Sequence, residues 1–425
     1  MRESTDSNIG RSIRPATDEH GAVLVLVALL SVGLLGLAGV VIDLGIVRRT
    51  QSEMQAATDQ AAIEGIRFRD VGGANPDRNR RDFATLAVRR AFQTDINVGG
   101  PSFGAGPDIN RSNELGRFGG LLTVGGEGDG DSALDLIPAL NEQNFQNGDL
   151  VAGEFDPLAP AIELADYSRL DFRVSTATEA AGASAFLARL RRTPASGPRS
   201  TPLDRESGIS NAGPPVPLLF ARGSTLQGAP IEDDGMTVRA ASIAATRPAV
   251  RVSRVVDGDA VLVMVPGFVA PTTTPFLPAF GLASLPNATS FELEIQPDGS
   301  ILAPAIDSTV LGVTLATAPR WVGQPVTRTS ISTPLPPGTW LGVLPILQAL
   351  PAAEGEFTRL AGFVSVEFAS DGTTLSVMLS PTSRVLPVGA TALDPEALST
   401  LLSFPALRAQ FESLPARVLA PVLAR

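Results

Sequence analysis

The sequence predicts a single N-terminal transmembrane helix and an α+β extracytoplasmic region whose C-terminal half is β-rich, with antiparallel hairpins. Three observations support this fold class. A long apolar run stands near the N-terminus, apolar residues at helical spacing follow it, and runs that alternate apolar with polar residues dominate the second half. With 425 residues, 44% hydrophobic and 18% charged, the chain has the composition of a folded protein with room for two or three domains.

The balance of ionisable residues excludes several classes of function. The net charge is -11 and every basic residue is arginine, which disfavours a nucleic-acid ligand. Lysine and cysteine are absent, so the chain offers no phosphate-binding P-loop, Schiff base, disulfide or thiolate metal site. The only histidine, His20, precedes the apolar run, which removes histidine-dependent triads from the region after it. We therefore expect no enzyme, no cofactor and no metal, although a pair of carboxylates acting as acid and base stays open.

The apolar run from Gly21 to Ile42 predicts a membrane-spanning helix. It contains no charged, amide, histidine or proline side chain, and as a helix it reaches about 33 Å, enough to cross the hydrocarbon core. Its length, and its passage into a further helical pattern, favour an uncleaved anchor over a signal peptide. Residues 1–20 then form a short cytoplasmic tail. Arginines flank the run equally, and the long downstream region favours an orientation with the C-terminal bulk outside the cytoplasm.

Residues 43–69 predict a polar continuation of this helix. Asp43 ends the charge-free run and is expected at the membrane boundary, whereas Asp59 is expected as a solvated side chain. Residues at intervals of three and four define one face of this helix, and their side chains become smaller toward its C-terminal end. Such a face can pack against a partner helix, or it can pack as a stalk against the protein's own outer domain. The weak apolarity of this face favours the second interpretation. Its members are Leu44, Val47, Gln51, Met54, Thr58 and Ala61, followed by Gly65.

Residues 70–217 predict an α+β region with glycine-rich loops and a linker. An amphipathic helix is expected over residues 81–92, a strand over 170–175, and a second helix over 178–192 with three arginines at its C-terminal end. The Pro- and Ser-rich stretch 195–217 has the composition of a linker or long surface loop. We place a domain boundary at its end.

Residues 218–425 predict a β-rich domain with C-terminal helices. Asp-Gly turns stand between alternating runs in 249–265, 291–306 and 363–379, which predicts three hairpins. A helix is expected from Asp394, because Asp394, Pro395 and Glu396 supply an N-cap, a first-turn proline and an acid near the positive end of the dipole. Pro405 and Pro415 break the remaining residues into short amphipathic pieces.

The N-terminal segment resembles the TadE/TadG-like proteins of the tight-adherence (Flp) pilus machinery. The resemblance lies in Gly21 before the span, in Val41-Ile42-Asp43-Leu44-Gly45 at its end, and in the Gln-, Ala- and Asp-rich helix around Asp59. It covers residues 21–69. It implies a single-pass protein of the bacterial inner membrane with its bulk in the periplasm, taking part in pilus assembly.

The function expected from these observations is a structural or scaffolding role in a pilus-assembly or secretion apparatus. Its partners would be the membrane and other proteins of that apparatus. The alternative is an envelope-anchored binding protein for a cell-wall component or small ligand, unrelated to pili. The resemblance at residues 21–69 favours the first of these.

Overall fold

The computed structural model describes residues 19–70, 75–92, 136–194, 201–218 and 235–252, with shorter segments between 104 and 123 and between 263 and 424. Its helices are α1 (Glu19–Arg67) and α2 (Pro76–Phe92), with 3-10 turns at Ala180–Gly182 and Pro202–Arg205. The strands before residue 237 are β1 (Asp108–Ile109), β2 (Leu122–Thr123), β3 (Leu150–Phe155), β4 (Phe172–Val174), β5 (Ala185–Arg192), β6 (Ala212–Gly213), β7 (Val216–Pro217) and β8 (Gly235–Met236).

The strands of the second half differ widely in length, from two residues to fifteen. They are β9 (Val238–Val252), β10 (Val263–Met264), β11 (Ala279–Leu282), β12 (Phe291–Glu292), β13 (Glu294–Ile295), β14 (Ile301–Leu302), β15 (Ala305–Asp307), β16 (Arg320–Trp321), β17 (Val326–Thr327), β18 (Gly338–Leu347), β19 (Phe357–Ser370), β20 (Thr374–Leu379), β21 (Arg384–Val385), β22 (Ala390–Ala392) and β23 (Val418–Ala424).

The largest sheet among the described residues is antiparallel-rich and draws on both halves of the chain. Its main path runs β21-β23-β9-β5-β3-β4, with β6, β12 and β22 paired at the sides. The two parallel pairings are β5 with β6 and β21 with β23. A second sheet follows the order β15-β19-β20-β17, and β18 also pairs with β19. The first sheet carries the features that concern function.

The part of α1 after the predicted span lies against one face of the main sheet, and α2 packs beside α1. Between the helices and the sheet lies the larger core, to which α1 contributes Met54, Ala61 and Ile66 and β5 contributes Phe186 and Leu190. Alternate residues of the strands form a smaller core on the opposite face, because successive side chains of a strand point to opposite sides. Its members are Val151, Phe172, Ala185, Leu187, Ile243 and Ala245.

Helix α2 confirms the amphipathic helix predicted over residues 81–92 and begins five residues earlier. Pro76 is its first residue, and the Asn75 side chain accepts a hydrogen bond from the backbone N–H of Arg78 at 3.1 Å. Both are favourable at a helix start. Its Phe83 ring stacks on Phe68 at the end of α1, with 3.7 Å between centroids.

Two of the three predicted hairpins are confirmed. In the last, Val366 pairs with Leu379 and Phe368 with Val377, as the alternating pattern requires. In the second, β13 pairs with β14 across the loop that contains the Asp-Gly turn. The strand predicted over 170–175 is also confirmed as β4.

The hairpin predicted over 249–265 is wrong in its pairing. Strand β10, at its far end, pairs with β11 instead of returning to β9. At Val252, near the end of β9, the neighbours on the two sides are Phe291 of β12 and Ala390 of β22. Both edges of β9 are therefore occupied there by strands from later in the sequence.

The helix predicted over 178–192 is also wrong. Residues Ala185–Arg192 form β5, a central strand whose eight side chains are all buried. Its neighbours β3 and β9 both hydrogen-bond to it. Over so short a run, the sequence pattern of a helix cannot be distinguished from that of a fully buried strand. Pairing with β3 and β9 determines that this segment is a strand.

The described part of the predicted linker is packed into the fold. Asp204, Ser210, Ala212 and Val216 are buried. On either side of this segment, β5 and β9 are adjacent strands of one sheet. Proline and serine here shape a compact loop rather than an exposed linker.

The C-terminal prediction is corrected in one part. Residues 418–424, expected in short amphipathic pieces, form strand β23, which pairs with β9 from Leu419 opposite Pro248 to Ala424 opposite Ile243. The predicted helix that starts at Asp394 lies outside the described residues, as does most of the glycine-rich stretch 97–130.

Candidate functional site: the N-terminal helix and its docking on the sheet

Helix α1 is continuous from Glu19 to Arg67, and its two halves have opposite surroundings. The side chains of its apolar half are exposed, for example Leu24 (73%), Leu29 (68%) and Leu35 (72%). Within the described residues, it is the helix whose length and composition fit a membrane span. The predicted span, Gly21 to Ile42, lies wholly within it and leaves the remaining helix to emerge without a break.

The emerging half of α1 packs on the protein's own sheet. Of the six residues predicted to form one face, Val47, Met54, Thr58 and Ala61 are buried. Leu44 and Gln51 are exposed. The four buried residues face the fold, which is the packing of a stalk against its own outer body.

The residues of the family motif lie at different depths along α1. Gly21 is near its start, and Gly45 has open space where a side chain would begin. Asp43, expected at the water boundary, is buried with 2% exposure. Asp59 is half-buried and accepts a hydrogen bond from Gln55 Nε2 at 2.8 Å, while Gln55 also donates to Ala241 O of β9 at 3.1 Å. The polar face of α1 is thus tied to the sheet.

The closest approach between α1 and the sheet occurs at Gly65. A Cβ atom at this position would overlap the ring of Phe186, which is completely buried. The Arg80 guanidinium carbon of α2 lies 5.1 Å from the centroid of the same ring. One phenylalanine therefore joins α1, α2 and β5, and the absence of a side chain at residue 65 permits it.

Two completely buried arginines on α2 bind backbone carbonyls: Arg81 holds the loop that leads into β3, and Arg80 holds the 3-10 turn before β5. Arg81 donates to Leu140 O at 2.8 Å, to Leu150 O at 2.5 Å and to Asn144 Oδ1 at 2.9 Å. Arg80 donates to Ala180 O. Burial lowers the pKa of Arg80 to about 10 against the opposing effect of Asp77, so it stays charged at neutral pH.

Asp77 partners both arginines of this α2 cluster. Its Oδ1 accepts from Arg80 Nε and its Oδ2 accepts from Arg81 Nε, each at 2.8 Å. Buried charges are stable only when they are paired and hydrogen-bonded, and this carboxylate supplies the pairing. The only signal in the sequence is a run rich in Asp and Arg residues over positions 77–82, and such a run is typical of a solvent-exposed helix face.

The end of α1 is fastened to strands near the C-terminus of the sequence. Asp70 Oδ2 accepts from the backbone N–H of Val385 at 2.6 Å, and Arg69 donates to Ser383 O at 2.9 Å. Arg69 and Asp70 also pair with each other at 2.7 Å. Sequence reasoning did not find this contact, because its partners lie more than 300 residues apart.

A third set of buried arginines lies on the opposite face of the sheet. Arg191 pairs with Asp149 at 2.9 Å, and both are almost completely buried. Its guanidinium carbon lies 4.5 Å from the ring centroid of Tyr167. Arg189 donates to Tyr167 O at 2.6 Å. The Tyr167 hydroxyl donates to Asp204, so polar contacts pass from one loop to the next.

The contacts of this outer cluster indicate a structural role. The Asp149 oxygen that does not face Arg191, Oδ2, accepts hydrogen bonds from the backbone N–H groups of Ala139 and Asn211, at 2.9 and 2.7 Å. Tyr167 has a φ of 64°, a left-handed conformation that is uncommon for a bulky residue and is held here by its partners. The arginines at 189 and 191, predicted near a helix end, instead bind backbone carbonyls of neighbouring loops. Within the described residues, no group of three or more acidic or histidine side chains is arranged to hold a metal ion.

Asp149 makes the stability of the fold depend on pH. Burial raises its pKa from 3.8 to about 7, against the opposing attraction of Arg191. Since the folded state holds this proton more tightly than the unfolded chain, the contribution of Asp149 to stability is complete below the unfolded pKa and declines as pH rises through about 7. Relative to an Asp149→Asn variant, the native chain should lose roughly 1 kcal/mol per pH unit between pH 5 and 7.

Urea unfolding of both chains at several pH values, followed by pulse proteolysis, measures that difference. The exposed Asp156 provides the control, and Asp156→Asn should leave the slope of the native chain unchanged. Parallel curves for the native chain and Asp149→Asn would show that the buried carboxylate does not titrate in this range.

Comparison with known proteins gives one match, and it falls on the helix that organises this site. Residues 21–67 match the family model for Flp pilus-assembly TadE/G-like proteins. Neither curated proteins nor solved structures gave a match to the chain. The matched range coincides with α1 from the start of the predicted span to the last helical residue. Over residues 21–67, helix α1 is therefore similar to the segment that the TadE/G-like family model describes.

Proposed function

We propose that this chain is a non-enzymatic scaffolding component of a bacterial pilus-assembly or secretion apparatus. It is anchored in the inner membrane by residues 21–42, with its C-terminal bulk in the periplasm. The observation that carries the proposal is the coincidence of the family match with α1. This helix supplies both the candidate span and the docking surface for the sheet.

The packing of α1 supports a scaffolding role. A helix that leaves the membrane without a break and is then held by core packing, by Gln55 and by Asp70 fixes the outer body relative to the bilayer. A flexible tether would instead leave the body free to turn. An assembly factor that must hold partners in a constant position benefits from the rigid arrangement.

Deletion of the chain in its natural host tests this function. We expect surface pili, counted by electron microscopy, to fall to background and to return when the full chain is supplied. A chain whose residues 1–42 are replaced by a cleaved signal peptide keeps the outer body but loses the anchor, so it should not restore them. Unchanged pilus numbers after deletion would contradict the pilus-assembly role and favour the envelope binding protein.

A further inference from the structure

A groove of about 480 Å³, lined by polar and small residues, runs along α1 just beyond the predicted span, and at Gln55 it borders the contact of α1 with β9. It begins six residues after Ile42 and continues for three turns of the helix. Four of its six residues are exposed, so the groove opens to solvent rather than into the core. Its lining residues are Arg48, Gln51, Ser52, Gln55, Ala56 and Asp59.

The chemistry of the groove suits a helix more than a small molecule. Ser52 and Ala56 lie four residues apart, a spacing at which small side chains let a second helix backbone approach closely. Exposed Gln51 places an amide group beside them, and an amide can both donate and accept hydrogen bonds, whereas Gln55 already donates to Asp59 and to Ala241 O. The described residues that line the groove all belong to α1 and extend along its axis for three turns.

Opposite charges stand at the two ends of this groove. Arg48 forms no ion pair with any residue that the structure describes, and Asp59 is bound there only by an uncharged amide. Eleven residues separate them, which is about 16 Å along a helix. An occupant that satisfies both ends carries an acid near the membrane and a base about three turns farther out.

A second copy of this chain does not meet that requirement. Given the membrane anchor proposed above, on which this step rests, two copies in one bilayer run parallel and are related by an axis normal to it. That axis brings Arg48 toward Arg48 and Asp59 toward Asp59, and like charges oppose association. An antiparallel copy would pair the charges but would need the opposite orientation in the membrane.

We propose that the groove binds the juxtamembrane helix of a different single-span protein, running parallel to α1, with an acidic residue facing Arg48 and a basic residue facing Asp59. The charge pairs select the partner and its register, and Ser52 and Ala56 allow close contact. The groove continues the exposed side of the span, so the two helices can meet from the bilayer outward.

Site-specific photo-cross-linking in native membranes tests this assignment with the full chain. A photoreactive residue at Gln51 lies in the groove, whereas one at Gln60 is nine residues on, half a turn away around the helix, and equally exposed. We expect an adduct from position 51 but not from 60, mapped to the helix just beyond the partner's own span. Charge reversal by Arg48→Glu should lower its yield about tenfold, and reversing the partner's facing acid should restore it.

Three outcomes would overturn the proposal: an adduct between two copies of this chain, equal yields from positions 51 and 60, or yields unaffected by both Arg48→Glu and Asp59→Arg. The proposed function fails separately, through unchanged pilus numbers after deletion. A specific, charge-dependent adduct in cells that keep their pili without this chain would retain the groove partner and discard the pilus role.

Discussion

Replacing Arg81 with methionine should lower the free energy of unfolding by about 4 kcal/mol. The substitution leaves Leu140 O without its Arg81 donor, leaves Leu150 O with Asn141 Nδ2 as its remaining side-chain donor, and removes a bond to Asn144. Asn144 in turn donates to Ala152 O and Ser175 O, so the loss reaches strand β3 and the segment after β4. Pulse proteolysis of the detergent-solubilised chain in urea measures the effect.

Arg90→Met is the matched control for this prediction. Arg90 lies on the same helix but is exposed, so its replacement should change stability by less than about 0.5 kcal/mol. Equal effects at residues 81 and 90 would mean that the buried hydrogen bonds of Arg81 contribute nothing beyond its charge.

Replacing Gly65 with valine should cost about 3 kcal/mol, because the new side chain overlaps the Phe186 ring. The ring is completely buried and Arg80 stands beside it, so it cannot move aside without disturbing α2. We expect α1 to separate from β5 and the protease sensitivity of the outer body to rise. The same urea titration measures the loss.

Gly45→Val on the same helix separates overlap from helix propensity. Apart from the adjoining helix backbone, no atom lies within 4 Å of a Cβ at residue 45, so this variant should unfold at nearly the native urea concentration. Equal destabilisation by the two variants would assign the effect to valine in a helix rather than to contact with Phe186.

The N-terminal helix was predictable because its signals are local. A run of 22 residues without a charge has few structural alternatives to a membrane-spanning helix. Side chains on the predicted face become smaller toward Gly65, which predicted close packing at the C-terminal end of α1. The hairpins of β13-β14 and β19-β20 were predictable for the same reason, since an Asp-Gly turn and alternating flanks lie within one short stretch.

Strand β5 shows where local signals fail. Its sequence, Ala185–Arg192, has helical spacing and basic residues at one end, but its partners lie 32 to 38 residues earlier and 46 to 60 residues later. Pairing between distant strands leaves no local trace, and a strand buried on both faces does not alternate. For the same reason, the sequence did not predict that β23 pairs with β9.

The buried arginines were missed because charge in a sequence predicts exposure. Arg80, Arg81, Arg191 and Arg192 are almost completely buried, and each donates to backbone carbonyls of loops distant in sequence. Arginine presents several donors in a planar fork, which suits it to this task better than lysine. A protein that uses arginine as its only basic residue offered a compositional hint of such sites.

The most direct test of the account is the position of each end of α1 relative to the membrane. The native chain has no cysteine, so single substitutions report without background. In intact spheroplasts an impermeant maleimide should label Gln60→Cys, whose parent residue is exposed on α1 and does not line the groove, and should label Ser7→Cys only after permeabilisation. Labelling of residue 7 without residue 60, or release of the outer body as a soluble fragment, would contradict the proposed anchor.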